Sequence, residues 1–349
     1  MKYLSAIILA FLILAGCSKK QEKTPIKVAN QNQYNVDTSD IKATPIDAKN
    51  ETFSLEYKFP KGKTYHYRLT TITHDVQTIK ADTTLQSNVT QEIIYLMDLT
   101  PVSVDKDGVI EFNLLFNSVK LHANANGKEY NFESSTATDS AEINKYAEYK
   151  ALTGSDMGIR VSKKGDILEI FRTDKVVNNF LTIKGFQDSA NASQREQLRE
   201  NMVQGAIKPL LYQVFRQTVD HPMMVDSSWT IKQPPSHLMV FNINSTNTYK
   251  ITGLQKLGDD KLAVIEGRIK TEFSGKNKVT QQGVDYTFRK PETSAGGKIY
   301  FNLNDGCIQK AKTFTQVNLS FDMKAKTPQG TRKGTREEMI RNNYILERL

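Results

Sequence analysis

Hydrophobic and polar residues alternate with a period of two along most of the chain beyond residue 50. The segments 53–59 and 65–72 show this pattern clearly, and a turn at 60–62 separates them. A period of two is typical of a β-strand that buries one face. Further strands are predicted at 93–99, 109–121, 130–132, 241–251, 262–273, 284–288, 298–303 and 313–323. The pattern predicts a mainly β (α+β) fold, with a large antiparallel curved sheet or an open half-barrel.

Three segments have the helical period instead, at 139–152, 173–184 and 193–219. Asp139 is a candidate N-cap of the first, and Ser193 and Glu196 fit a capping box at the start of the longest. The apolar residues of this longest helix form one broad face. Pro209 predicts a kink, because a helical proline clashes with the carbonyl group four residues earlier. We expect a kinked amphipathic helix packed on the sheet, either as a plain cover or as a lid over a ligand cavity.

The composition divides the chain into a leader, a tether and a folded region. Residues 18–50 are polar and lack the apolar content needed for a core, which predicts a disordered tether. The predicted layout is a cleaved signal peptide at 1–16, a lipidated cysteine and tether at 17–50, and a β-rich domain at 51–349. Within that domain we expect two similar β units, 51–185 and 221–349, joined by helix 193–219.

The likeness of the two β units is weak. The strand–turn–strand segments at 95–119 and 249–269 resemble each other, as do those at 158–167 and 297–308. Ordinary hairpins would produce much of this likeness, so a duplication and a coincidence both stay open. The C-terminal segment 336–349 suits a helix or a last strand, and we favour a strand paired back across the turn at 328–330.

The N-terminus carries a lipid-anchor signal. Lys2 precedes a short apolar run at 4–14, and Leu14-Ala15-Gly16-Cys17 reads as a lipobox. The run is too short to span a bilayer, which takes about 20 residues. The segment resembles the N-terminus of bacterial lipoprotein precursors, which implies cleavage before Cys17 and acylation (palmitate included) of that cysteine. The residue after Cys17 is Ser18 rather than aspartate, which implies the outer membrane, at its periplasmic face.

Charge and cysteine content add little to this picture. The formal net charge of the 349 residues is +9, and the excess is partly C-terminal. Such a surface attracts anionic lipid headgroups or another acidic partner, or is simply a solvated face. Nucleic acid is excluded as a partner by the exported compartment. Since Cys17 takes the lipid, Cys307 has no partner for a disulfide, and we expect it to be a buried structural thiol.

The search for catalytic chemistry is negative. The five histidines lack metal-ligand spacing, and the segment 154–158 lacks the setting of a serine-hydrolase nucleophile. We therefore predict no enzyme activity, no metal site and no cofactor. The single tryptophan, Trp229, begins a predicted strand and is either a core anchor or a cavity-lining residue.

The element order (strands, helices, strands) is similar to that of half-barrel lipoproteins that carry lipids or lipoproteins through the periplasm, and the mature part resembles uncharacterised envelope lipoproteins. The resemblance implies a membrane-anchored periplasmic lipoprotein that binds a hydrophobic ligand or lipid in a sheet–helix cavity. The predicted lining residues are Met202, Ile207, Leu211 and Trp229. The alternative is a structural or assembly protein of the envelope that acts through protein contacts, and a filled sheet–helix interface would favour it.

Overall fold

The computed structural model describes residues 31–48, 50–328 and 330–349. Cys17 and the predicted signal peptide lie outside these residues. The strands of the first half are β1 (Thr44–Ile46), β2 (Tyr65–Lys80), β3 (Thr84–Val104), β4 (Ile110–Ala125), β5 (Lys128–Glu133), β6 (Asp156–Val161) and β7 (Ile167–Phe171). Those of the second half are β8 (Ser228–Lys232), β9 (Ser236–Leu238), β10 (Phe241–Leu257), β11 (Asp260–Ser274), β12 (Lys278–Gln281), β13 (Val284–Phe288), β14 (Glu292–Asn302), β15 (Cys307–Thr327) and β16 (Gly330–Arg348).

These sixteen strands of the described chain pair into one antiparallel sheet that stays open. Its order is β1-β10-β11-β14-β15-β16-β2-β3-β4-β6-β7, and the remaining strands pair with members of this path. A few helices pack on the sheet. The predicted fold class is therefore confirmed: the fold is mainly β, and antiparallel pairing of alternating strands explains how it forms.

The C-terminal strand joins the two halves of the chain. β16 pairs with β15 on one side and with β2 on the other, where Arg348 lies opposite Tyr67 and Thr335 opposite Lys80. The preference for a strand at 336–349 is confirmed. Both halves contribute a row of four strands in chain order, β3-β4-β6-β7 and β10-β11-β14-β15. The duplication itself stays a prediction.

One predicted strand is wrong. The segment 53–59 forms only an isolated bridge, between Phe53 and Met223. Three of its four alternating apolar side chains are buried, with Leu55 and Phe59 at 0% exposure, and Phe53 is half-buried. Its backbone bonds to loops rather than to a strand, since the N–H of Tyr57 donates to the carbonyl of Lys163 at 2.9 Å. The segment fills the core without pairing as a strand. Burial of alternate side chains produces the same period-two pattern as a strand does.

The helices are α1 (Ser140–Lys145), α2 (Ala147–Leu152), α3 (Asp174–Lys184), α4 (Ala192–Met202) and α5 (Lys208–Val214). The predicted cap is confirmed, since the Asp139 side chain accepts from the N–H of Glu142 at 2.8 Å. The capping box of α4 is formed by Asn191 and Gln194, which corrects the prediction of Ser193 and Glu196. Within the described chain, none of these helices has the length and apolar character needed to cross a bilayer.

The predicted kink is a π-helical segment, Val203–Ile207, between α4 and α5. There the N–H of Lys208 donates to the carbonyl of Val203, five residues earlier. Pro209 follows at once, and its missing N–H explains why the regular ladder fails at this point. The helix ends at Val214 rather than at residue 219 as predicted.

The two faces of the sheet are covered differently. The helices pack on one face, here called the inner face, and share a large hydrophobic core with it. Residues 31–48, here called the strap, cross the opposite or outer face. Tyr34 donates to Ser118 of β4 at 2.8 Å, and Asp37 pairs with Lys310 of β15 at 2.8 Å. The strap ends as β1, which pairs with β10. These contacts correct the predicted disordered tether for residues 31–48.

A buried ion network fixes the strap to the sheet. Arg68 donates to one carboxylate oxygen of Glu347 through Nε at 2.9 Å and Nη2 at 2.7 Å. Lys310 lies between Glu347 and Asp37, with N–O distances of 3.4 and 2.8 Å. The Lys310 bond holds the pKa of the Asp37 carboxyl well below its usual range. Arg68 also donates to the strap carbonyl of Gln33. The buried charges of Arg68, Lys310 and Glu347 sum to +1, and the exposed carboxylate of Asp37 balances them.

Candidate functional site

The four predicted cavity-lining residues lie together in the packed core. Ile207 and Leu211 have 0% exposure, and Met202 and Trp229 have 8%. All four belong to one hydrophobic cluster with the sheet. The Trp229 N–H donates to the carbonyl of Gln217 at 3.3 Å, and its ring stacks on Tyr249 at 5.1 Å. The core-anchor interpretation of Trp229 is therefore confirmed, and neither of the two cavities described below includes these residues.

The long strands divide into two zones along their length. In β2, five of the six residues 65–70 are buried, whereas none of 71–80 is. In β16, residues 345–347 are buried, whereas none of 330–344 is. We call the helix-covered zone the packed half and the remainder the open half. The strands continue into the open half without leaving the sheet, since the β16–β2 pairing extends to Lys80.

Charged side chains are sparse on the inner face of the open half beside the packed half, and they return toward the far tip, where Glu338 lies opposite Gln77 and Arg336 opposite Ile79. Strand register and alternation place Thr73 beside Asn342, and Asp75 beside Ile340, on this face. We call it the open face; its residues are Thr73, Asp75, Val89, Gln91, Asn247, Ile269, Ala295, Thr315, Val317, Ile340 and Asn342. None of them belongs to the main core. Threonine, asparagine and β-branched apolar side chains thus form a continuous surface that contains Asp75, and the Glu338–Arg336 ion pair borders it on the same face.

A second, small apolar cluster closes the far end of the open face. Phe241, Phe288 and Phe321 are buried there, and the rings of Phe288 and Phe321 lie 4.9 Å apart. The open face therefore lies between two packed regions. The inner face of β2 from Thr71 to Ile79 measures about 26 Å at about 3.3 Å per residue of strand, and its far part runs beside the Glu338–Arg336 ion pair.

Arg216 lies at the border between the packed and open halves. It follows α5 by two residues and reaches Thr313 of β15, to which its Nη2 donates at 3.1 Å. Its Nε is buried with no hydrogen-bond partner. Thr313 lies beside Tyr344 in register, immediately before the open face begins. A guanidinium group thus lies at the inner end of an otherwise almost uncharged surface.

Two further unsatisfied polar atoms lie on the open face itself. The Oδ1 atoms of Asp75 and Asn247 are buried without a partner. Burial raises the pKa of the Asp75 carboxyl, and the negative charge of Glu338 raises it further, while Arg336 opposes both. Buried polar atoms without partners are uncommon in proteins and mark places where a water or a ligand completes the bonding.

The larger of two cavities, of about 850 Å³, lies at the far tip of the sheet. Lys80, Lys278, Lys324 and Lys333 line it together with Asp285 and Asp322. This is where the basic C-terminal stretch lies, and Lys324 is directly opposite Lys333. The other cavity, of about 380 Å³, lies where the end of the strap meets β10. Arg216 lines neither of them.

The candidate catalytic and metal-binding residues are separated from one another. His66 and His74 lie on the same strand, but His66 bonds Asp98 at 2.6 Å and His74 faces Thr90 at 3.4 Å. The residues that the structure describes contain no group of three or more His, Cys, Asp or Glu side chains that could hold a metal. Cys307 is buried and unpaired, and burial raises the pKa of its thiol, so it is the structural thiol that was predicted.

The sequence interpretation missed Arg216, Asp75 and the open face. A usable signal was present, because the segments 71–79 and 313–317 place threonine and apolar residues on one face with almost no charge. Arg216 was also visible as a cation directly after an apolar helix. Neither signal shows which strands continue beyond the helices. The lengths and registers of the strand pairings decide this, and they are seen only in the structure.

No curated protein matches the chain. Among solved structures, lipovitellin, described for its lipid–protein interactions, matches with 10% identity and a TM-score of 0.39, over 83% of this chain and 25% of that chain. The chain therefore spans about a quarter of the lipovitellin chain. An outer membrane channel from Pseudomonas putida F1 matches with 8% identity and a TM-score of 0.20, over 87% of this chain and 100% of that chain. Scores this low establish neither a shared fold nor a shared function.

A family model matches residues 107–308, which is more than half of the chain. The match includes the helices and Arg216, and it ends at Ile308 in β15. The chain therefore belongs to this family, a family of unknown function (DUF6263).

Proposed function

We propose that this protein is a non-enzymatic lipoprotein that binds an elongated hydrophobic ligand on its open face. In this proposal Cys17 anchors it in the outer membrane, at the periplasmic face. The observation that carries the proposal is the open face itself, where the sheet continues well beyond its helix cover and Asp75 is the charged side chain before the Glu338–Arg336 pair is reached. The sheet–helix interface, where a cavity was expected, is filled by Met202, Ile207, Leu211 and Trp229.

The distribution of charge supports a ligand on the inner face rather than the outer one. A sheet face in contact with water normally carries polar and charged side chains. On the outer face of the open half β16 carries Arg341 and Glu337, and β2 carries Lys80. On the inner face of the same strands Asn342, Ile340 and Thr73 are uncharged, and the charged residues are Asp75 and, farther toward the tip, the Glu338–Arg336 ion pair. Domains bury an uncharged sheet face against a second layer, and a bound acyl chain would supply that layer here.

The test is to purify the chain from residue 18 onward, without lipid, from an envelope-derived extract. Native mass spectrometry followed by organic extraction is expected to reveal a reproducible, stoichiometric hydrophobic molecule. Ile340→Asp places a charge on the open face and is expected to abolish the bound mass. Met339→Asp is the matched control, because Met339 is adjacent on β16 but faces the outer side; it is expected to retain the ligand.

Two results would contradict the proposal. A clean ligand-free mass from several preparations would show that the protein binds no hydrophobic ligand. A ligand that survives Ile340→Asp but is lost in a folded Leu211→Ala protein would place the site back under the helix. We expect Leu211→Ala to lower stability instead, because Leu211 is fully buried.

The second candidate function is an assembly role in the envelope. The filled sheet–helix interface is the observation that favours it, since no internal space is then needed for a ligand. The open face would in that case receive another envelope protein. A clean ligand-free mass, together with a specific cross-link from Ile340→Cys to one envelope protein, would support this function over the first.

A further inference from the structure

We infer that Arg216 binds the oxyanion headgroup of the ligand, so that the ligand is an acidic amphiphile whose apolar part lies on the open face. This inference rests on the proposed function and adds the class of headgroup and the residue that recognises it. Three features of Arg216 support it: its fixed position, its missing counter-charge and its location at the border of the two halves.

The backbone of Arg216 is held from two sides. Its N–H donates to the Tyr57 hydroxyl at 2.7 Å, and that hydroxyl donates to the Arg216 carbonyl at 3.1 Å. Gly165 approaches the same carbonyl so closely that a Cβ atom there would lie 2.4 Å from the oxygen. Gly165 also has a φ of +86°, which favours glycine. The Arg216 side chain therefore starts from a fixed point, which preorganises the guanidinium.

The Arg216 guanidinium has no counter-charge. Nη2 donates to Gln213 and Thr313, and Nε is buried without a partner. Within the described chain no Asp or Glu forms an ion pair with it. The titratable groups that act on it are the hydroxyls of Tyr249, Tyr57 and Tyr344, and none of them is a carboxylate. Burial lowers the pKa of the Arg216 guanidinium, but an arginine starts so high that it stays charged.

Arg68 shows what this protein does with an arginine that only serves structure. Arg68 is buried on the outer face, and two of its nitrogens bond the Glu347 carboxylate. Leaving a buried cation unpaired is costly, because desolvation is not repaid. Arg216 is half-buried with its Nε buried, and it carries part of that cost in the absence of a ligand. An oxyanion would remove it, since the planar guanidinium is suited to carboxylate and phosphate groups.

The position of Arg216 fixes how such a ligand would lie. Thr313 accepts its bond at the last covered row of the sheet, and the open face begins at Thr315 on the same strand. A headgroup at Arg216 therefore leaves the attached chain directed along the open face. The far phenylalanine cluster at Phe288 and Phe321 would meet its other end.

The test compares ligands that differ only in the headgroup. Affinities of dodecanoate and dodecan-1-ol are measured by displacement of a neutral fluorescent probe, with acetate as the free anion. The wild-type protein is expected to bind dodecanoate about tenfold more tightly, as charge-assisted bonds require. Arg216→Met is expected to abolish that preference, because the affinity for dodecanoate falls to that for the alcohol. Arg341→Met, on the outer face, is the matched control and is expected to keep the preference.

The thermal stability of Arg216→Met distinguishes headgroup binding by Arg216 from a purely structural role. Arg216→Met removes an unpaired buried charge, so the Tm without ligand is expected to stay the same or rise. A structural arginine would instead lower the Tm on substitution and leave the acid-to-alcohol ratio unchanged. If Arg216→Met does not fold, the ratio of the wild-type affinities for dodecanoate and dodecan-1-ol still tests the inference. Equal affinities for the two ligands would overturn it.

The outcomes distinguish this inference from the proposed function. Equal binding of acid and alcohol, or a preference that survives in Arg216→Met, overturns the headgroup role while the hydrophobic ligand stands. Failure of both ligands to bind overturns the proposed function and the inference with it. If acetate displaces the probe as well as dodecanoate does, the site binds a free anion. That result would overturn the inference that the ligand is an amphiphile.

Discussion

The two ends of β16 lie in one strand but in different environments. Leu346 and Ile340 are on the same inner face, six residues apart. Leu346 is 1% exposed and belongs to the main core, whereas Ile340 is half-buried and lies outside it. The outer face repeats the contrast, with a buried ion network at Glu347 and an exposed ion pair at Glu337. The difference indicates that stability is concentrated in the packed half, which leaves the open half available for binding.

The contrast is tested most strongly by its two outer-face glutamates. Glu347→Gln leaves Arg68 and Lys310 buried without their carboxylate, and we expect a loss of about 3–5 kcal/mol in the free energy of unfolding. Glu337→Gln is the control, because its pair with Lys80 is about half-exposed at both side chains. We expect that change to cost less than about 1 kcal/mol. Urea unfolding measures both, and similar losses would contradict the division into two halves.

Inner-face truncations give the next largest effect. Leu346→Ala is expected to cost about 2–5 kcal/mol, because it opens a cavity in the core. Ile340→Ala is expected to cost about 1 kcal/mol, since less apolar surface leaves the protein interior. The binding of dodecanoate should follow the opposite order, with the larger loss in Ile340→Ala. Chemical denaturation and probe displacement on the same samples test this, and parallel losses of stability and binding would count against it.

The smallest predicted effect concerns Asp75. Because burial raises its folded-state pKa above the unfolded value, ionisation of Asp75 costs stability as the pH rises through that pKa. Asp75→Asn removes this cost, and we expect a gain of a few tenths of a kcal/mol at pH 7, as the carboxyl is partly solvated. The gain should vanish as the pH falls through the usual carboxyl range. Thermal unfolding across pH measures it, and a pH-independent difference would exclude this origin.

Much of the fold could be predicted from the sequence, for local reasons. Period-two alternation located most strands of both halves. The C-terminal strand, Gly330–Arg348, was predicted from residue 336 onward. Asp139 and Pro209 fixed a helix cap and an interruption because their effects act within one turn. Segment 53–59 was mistaken for a strand because burial, and not pairing, produced its alternation.

The strap and the site depended on distant partners and could not be predicted. Residues 31–48 are polar, and their order comes from Tyr34, Asp37 and β1 meeting strands far along the chain. The cavity residues Met202, Ile207, Leu211 and Trp229 were correctly seen as neighbours of the sheet, but apolar patterns do not distinguish a cavity wall from a filled core. Arg216 points to a bound anion only because the structure pairs no carboxylate with it, and the sequence does not reveal this.

Hydrogen–deuterium exchange tests the central claim most directly, because it reports the packed and open halves in one experiment. Without ligand, segments 71–80 and 330–344 should exchange faster than 65–70 and 345–348. Dodecanoate should slow exchange in 71–80 and 330–344 and leave helix residues 192–214 unchanged. Equal exchange along the whole strands, or protection confined to 192–214, would contradict the account.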